Sequence, residues 1–286
     1  MIAQALVDGM LSGAIIALGA IGVSFGLAIL RFANFSHGDL LAVGAYGALL
    51  LVLLSGPNLP LALLAGVLLA VATSLLLDRL VYQPLRRRDA DPLTLVFASF
   101  GLALILRHAL VLAFGPDPYN YESDIQMALR LPGGVRVMPD QVLVFAVALL
   151  VLAALWLFLR TRRGTAMRAV AENPVLSSIA GIDITATVRL TWVVATALAA
   201  LAGVFYGLTV QVRPEMGINL LLPLFTAAIL GGVGSVAGAV VGALVISLAE
   251  NLSTLVFPTT YRPIVPFVLL LLVLYFRPSG LFKPKA

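Results

Sequence analysis

Cysteine is absent, lysine is confined to two residues of the tail, and only 11% of the 286 residues are charged. The first absence excludes a disulfide framework and a thiolate metal site. With Lys283 and Lys285 the only lysines, the run Gly231-Gly232-Val233-Gly234-Ser235 lacks the lysine of a phosphate-binding loop. The chain therefore shows no nucleotide-hydrolysis apparatus of its own. Its two histidines, His37 and His108, are far apart, and no Ser/His/Asp or metalloprotease arrangement is present. No resident cofactor, metal or intramembrane enzyme is expected. The scarcity of charge excludes more: soluble proteins carry roughly 25% charged residues, and one with so few could not cover its surface.

What the chain does have is apolar length. It is 61% hydrophobic, and the apolar residues come in long runs instead of one helical stripe. The expected fold is an all-α polytopic integral membrane protein, one transmembrane domain over residues 1–286. Apolar segments run over 5–30, 40–54, 59–77, 93–114, 141–159, 190–210, 220–232, 236–252 and 264–276. That makes eight or nine crossings, because 220–232 is short, carries Pro223, and reads either as a kinked span or as a re-entrant one. The first segment lacks a basic start and is too long for a signal peptide, so a retained span is expected.

Twelve of the eighteen Lys and Arg fall on three surfaces that alternating spans place on one side. They are Arg79, Arg86, Arg87 and Arg88; then Arg160, Arg162, Arg163, Arg168 and Arg189; then Arg277, Lys283 and Lys285. The positive-inside rule makes that side cytoplasmic and the N-terminus external. The loop 115–140, with Asp117, Glu122, Asp124 and Asp140, then faces outward. A net charge of +5 spread over short loops is no signal for nucleic acid.

Two polar stretches stand out. In 31–39, Ser36-x-x-Asp39 reads as a capping box before an apolar run. The same residues also read as a helix break in a water-lined cavity, where free amides with Asn34, Ser36 and His37 would meet an anionic group such as a carboxylate. In 160–189, Asn173-Pro174 reads as a cap followed by proline at the first helical position, with Gly181 as the stop. That helix of about two turns is either an ordinary inter-span loop or one offered to a partner. Asp91-Pro92 starts a helix by the same logic.

Glycines at four-residue spacing, among them Gly234, Gly238 and Gly242, point to close helix packing in lipid. Arg107, His108 and Glu250 lie within apolar segments, where an ionisable group marks a functional site by default; the alternative is that Arg107 snorkels or pairs with a carboxylate in the assembly. A faint echo between Gly22-Val23-Ser24-Phe25-Gly26-Leu27 and Gly203-Val204-Phe205-Tyr206-Gly207-Leu208 is compatible with inverted repeats, or with coincidence in an apolar background.

Several of these stretches resemble, in order, the branched-chain amino-acid ABC transporter permeases of the LivH type. The matches are Asn34-Phe35-Ser36-His37-Gly38-Asp39 with Gly44 and Tyr46, and Asp78-Arg79-Leu80-Val81-Tyr82-Gln83-Pro84-Leu85-Arg86. They continue with Arg168 to Asn173, Ala180-Gly181-Ile182, the segment Ala227–Ala239 with Gly242 and Glu250, and Arg277 to Phe282. Asp39 stands where many members have Glu. The resemblance implies a permease paired with a second one (LivM type, or another copy), powered by two cytoplasmic ATPase subunits that bind the ATP. A periplasmic binding protein would deliver the solute. It also implies that Arg168, Glu172, Asn173, Pro174 and Gly181 form the docking element. Sister permeases for urea and short amides share much of the pattern. The competing readings are a gradient-driven transporter titrating Asp39 or Glu250, and a passive channel.

Overall fold

The computed structural model describes residues 1–121, 127–130, 134–277 and 279–282. Glu122, Asp124, Pro278, Lys283 and Lys285 lie outside the described residues. Helix α1 (Ile2–Phe25) runs on through a π turn (Gly26–Leu30), and α2 is Ser36–Ser55. Helix α3 (Leu59–Leu77) also passes through a π turn (Asp78–Tyr82) into the short α4 (Gln83–Arg87), followed by α5 (Pro92–Phe114). A two-residue-per-strand hairpin, β1 (Leu129–Arg130) with β2 (Arg136–Val137), precedes α6 (Pro139–Leu159). Then come α7 (Arg162–Glu172), α8 (Pro174–Ile179) and α9 (Ile184–Thr209). The chain finishes with α10 (Met216–Gly231), α11 (Val236–Ser253) and α12 (Ile264–Phe276).

Seven helical stretches among the described residues are long and apolar enough to cross a membrane. Two shorter apolar helices, α10 and α12, accompany them. At 1.5 Å per residue the 16-residue α10 reaches about 24 Å, with Pro223 inside it. This is an all-α polytopic membrane protein.

Helices α1, α2, α9, α10 and α11 form the centre, while α3, α5, α6 and α12 carry much of the exposed apolar surface. The reason is side-chain size. Gly38 backs onto the Gly217 carbonyl, Gly203 onto that of Leu41, and Gly66 onto that of Gly44. In lipid, such close approach replaces the hydrophobic effect as the source of helix–helix adhesion.

The three glycines of the expected stripe are placed differently. Gly238 packs α11 on the Gly231 carbonyl of α10, and Gly242 packs on that of Ala227. Gly234 departs from the expectation: it is in the α10–α11 turn at φ +87, before the helix begins, and its amide donates to Ser24 Oγ at 2.9 Å. A left-handed turn residue has no helix face to present. Nor does the echo carry equivalent contacts. Gly22 faces His37 and the Ala195 carbonyl, Gly203 faces Leu41, and Gly26 has nothing within 4 Å.

Contacts gather the ends of α1, α3 and α6, the starts of α5 and α9, and the α10–α11 turn at one end of the bundle, termed here the basic end. The tail joins them, with the Leu281 and Phe282 amides donating to the Leu230 and Gly231 carbonyls and so satisfying the buried C-terminal end of α10. At the opposite end the 115–138 segment is tied down. Tyr119 bridges Val212, Tyr121 donates to the Ala45 carbonyl at 2.8 Å, and Gln4 bonds the Arg136 backbone. Burial pushes the Tyr121 phenol pKa well above its usual value, so it stays a neutral donor.

Candidate functional sites: a broken helix and a projecting one

The first site is built where α1 stops. Its π turn leaves Arg31 in the left-handed conformation (φ +62), exposed, and the chain restarts as a helix at Ser36. The expected capping box does not form. Ser36 is already helical, and its hydroxyl turns back to Asn34 Oδ1 at 2.7 Å instead of forward. Asn34 Oδ1 also accepts from the Ser36 amide (3.1 Å) and from the Tyr82 hydroxyl (3.2 Å). The Phe35 amide donates to Ser99 Oγ at 3.0 Å, and the His37 amide to the Asn34 carbonyl at 3.3 Å. The three amides of residues 35–37 are thus partnered within the chain, not held open for an anion.

Asp39 is served from α5 instead of capping. Arg107 Nε and Nη2 donate to Asp39 Oδ1 and Oδ2, each at 3.2 Å, in a two-pronged pair with Asp39 1% exposed. Arg107 therefore pairs with a carboxylate instead of snorkelling. His37 donates its Nε2–H to the Gly19 carbonyl at 3.1 Å, since a carbonyl only accepts. The ring fits because Gly22 has no Cβ: one there would sit 2.6 Å from His37 Cε1. His108 satisfies itself on the Leu104 carbonyl (2.8 Å), and Glu250 meets Arg262 at 3.5 Å.

Three participants escaped sequence reasoning. Tyr82 is fully buried, stacks on Trp192 with centroids 5.0 Å apart, and lies 5.3 Å from the Phe32 ring; Ser99 ties α5 to the break. Only Tyr82 had a signal, its place in the quoted Tyr82-Gln83-Pro84 run. Replacing Asn34 with leucine removes the acceptor of the Ser36 amide and of the Ser36 and Tyr82 hydroxyls. The two hydroxyls, 3.1 Å apart, still bond to each other, so the amide and one hydroxyl donor are left unpaired, at about 1–3 kcal/mol per unsatisfied group. The expected outcome is a lower thermal midpoint in detergent, measured by size-exclusion fluorescence. An unchanged midpoint contradicts the network.

The second site is α7–α8. Asn173 Oδ1 accepts from the Leu176 amide at 3.0 Å, Pro174 occupies the first turn, and Gly181 follows at φ +83, so cap and stop both form as the sequence predicts. Helix α7 was not anticipated, although Gly164, Met167 and Val170, three residues apart, are the face it buries. Arg168 and Glu172 are exposed on it, with Arg168 donating to Thr165 Oγ1 at 3.3 Å. On α8 the exposure is apolar: Val175 is 69%, Leu176 62% and Ile179 77% exposed. No group of residues suited to a metal ion occurs among the described residues.

Fold and sites together define a membrane-embedded helical bundle with a hydrogen-bonded polar connection between its first two spans and an apolar helix projecting at its basic end, a design suited to a transport permease. The profile described as "Branched-chain amino acid transport system / permease component" matches residues 5–274. The chain belongs to that family. It is similar to the high-affinity branched-chain amino acid transport system permease protein BraD of Pseudomonas aeruginosa, 34% identical over 97% of this chain and 94% of that one. It is also similar to the corresponding protein LivH of Salmonella typhimurium, 31% identical over 97% and 94%. Among solved structures, PsaBC from Streptococcus pneumoniae in complex with Fab shares the fold, with a TM-score of 0.54 at 14% identity over 96% of this chain and 91% of that one.

Proposed function

We propose that this chain is the membrane-spanning permease of an ABC importer that brings branched-chain or other hydrophobic amino acids into a bacterial cell. It sits in the inner membrane with its N-terminus outside and its C-terminus and basic end in the cytoplasm. It works beside a second permease, either a LivM-type subunit or another copy, and a periplasmic binding protein supplies the solute. Two cytoplasmic ATPase subunits hold the ATP. Lipid covers the outer helices, and nucleic acid has no part.

The observation that carries this reading is α8. Three apolar side chains displayed outward on a capped two-turn helix are a poor surface for water and a good one for a cleft in another protein. Helix α8 docks on the ATPase, and Arg168, Glu172, Asn173, Pro174 and Gly181 position it. Closure of the nucleotide-bound dimer then moves α8 and, through the turn at 180–183, α9. Asn34, Ser36, His37, Gly38 and Asp39 frame the transport path where the first span gives way to the second. A gradient-driven mechanism is less well supported, because the two carboxylates it would use, Asp39 and Glu250, each lie against an arginine.

The test is uptake of radiolabelled leucine by vesicles containing the permease with its genomic neighbours. Isoleucine and valine should compete, and urea and acetamide should not. Competition by the amides alone would move the assignment to the sister permeases.

A further inference from the structure

The π turn of α1, the restart of α2 and the near face of α9 enclose a small cavity whose lining includes Gly22, Gly26, Asn34, His37, Trp192 and Thr196. The centre of a water-sized sphere has about 10 Å³ in which to move there. Two of these side chains, Trp192 Nε1–H and Thr196 Oγ1, have no hydrogen-bond partner among the described residues. Trp192 is 2% exposed and Thr196 1%, so bulk solvent does not serve them. The two residues are one turn apart on one face of α9.

Thr196 differs from its neighbours on the helix. The hydroxyls of Thr187, Thr191 and Thr209 each donate to the carbonyl four residues back, at 2.8, 2.8 and 2.9 Å. That local bond is the ordinary way to satisfy a threonine inside a helix, and Thr196 does not make it. Trp192 is held in place by its stack on Tyr82. Across the cavity, His37 has spent its Nε2–H on Gly19, which leaves Nδ1 as an acceptor.

We propose that this cavity binds one ordered water, which accepts from Trp192 Nε1–H, bonds to the Thr196 hydroxyl and reaches the His37 ring across the α1–α2 break. The volume fits a single water, which needs about 10–15 Å³ measured this way and typically makes about three bonds. It is far too small for an amino acid. The water is an exchangeable link between α9 and the break. Four residues separate α8 from α9, and Trp192 and Thr196 lie in the first half of α9. A water can change partners as α9 slides past the break, whereas direct side-chain bonds would have to be broken. This mechanical role rests on the docking function given to α8; the hydration does not.

Trp156→Phe leaves Trp192 the only indole in the chain. In that protein, labelled with 15N-tryptophan in lipid vesicles, water-edited solid-state NMR reads magnetisation passed from water to the indole N–H. The Trp192 signal should build up from water despite its burial. Thr196→Val should cut that transfer several-fold, and Thr196→Ser should preserve it. Direct detection of the same signal reports whether each variant is folded. An intact Trp192 signal that receives nothing from water overturns the proposal, as does transfer indifferent to Thr196→Val. In the complete transporter, Thr196→Val should lower solute moved per ATP hydrolysed several-fold, and an unchanged ratio overturns the role as a link. If no ATPase subunit binds the wild-type chain, it is the docking reading that has failed, and the NMR result still decides the hydration.

Discussion

Val175→Glu combined with Ile179→Glu should abolish uptake and co-purification with the ATPase while leaving the amount of permease in the membrane unchanged. Both side chains are more than two-thirds exposed, so placing charge there costs the folded bundle little. At a docked interface the same change is severe. Buried anchor residues contribute about 2 kcal/mol or more each, so losing two costs about 4 kcal/mol and weakens binding by about 700-fold or more. The paired measurement is permease abundance by immunoblot and ATPase recovered on the tagged permease. Glu172→Lys with Gly181→Arg attacks the same element differently. It reverses a charge beside α8 and forces a side chain onto a backbone at φ +83. There, ATP hydrolysis should continue without uptake. Full ATPase binding and normal uptake in both variants would remove α8 from the mechanism.

The second large effect is expected at Arg107. Arg107→Leu leaves Asp39 buried without its partner, and breaking a buried ion pair from one side costs about 3–5 kcal/mol. Assembled permease should fall sharply. Arg107→Lys, which keeps the charge but loses the two-pronged geometry, should recover part of it. Changing both partners, as in Asp39→Asn with Arg107→Gln, should cost less than Arg107→Leu alone, because no charge is then stranded. The check is the thermal midpoint of each purified variant, treated as a double-mutant cycle. Equal, independent losses at the two positions would show that the pair is not coupled.

What the sequence disclosed was local. Asp91-Pro92 and Asn173-Pro174 start helices because a side-chain acceptor two or three residues ahead of free amides needs no distant help, and both caps form. The apolar runs were equally plain, since lipid demands length before pattern. The break after α1 was visible as a polar island, yet its bonding was misjudged. Ser36 and Asp39 have the spacing of a capping box, but the Ser36 hydroxyl turns back to Asn34, whose side chain Tyr82 also holds from 48 residues away, and Arg107, 68 from Asp39, takes the carboxylate. Partners so far apart in the chain leave no trace in local spacing. The π turns were invisible for the same reason: an extra residue per turn is imposed by what the helix packs on. Gly234 shows how a sound period can overrun its helix, for the spacing to Gly238 and Gly242 continues into a turn.

The central claim is that this chain is a conduit driven through α8 by a separate ATPase. The most direct measurement is leucine accumulation in sealed proteoliposomes made with the permease pair and binding protein, with and without the ATPase subunits and ATP. The account predicts uphill accumulation only when ATPase and ATP are both present on the face that carries α8, and none under an imposed proton or sodium gradient. Uphill accumulation by the permease without any ATPase would contradict it.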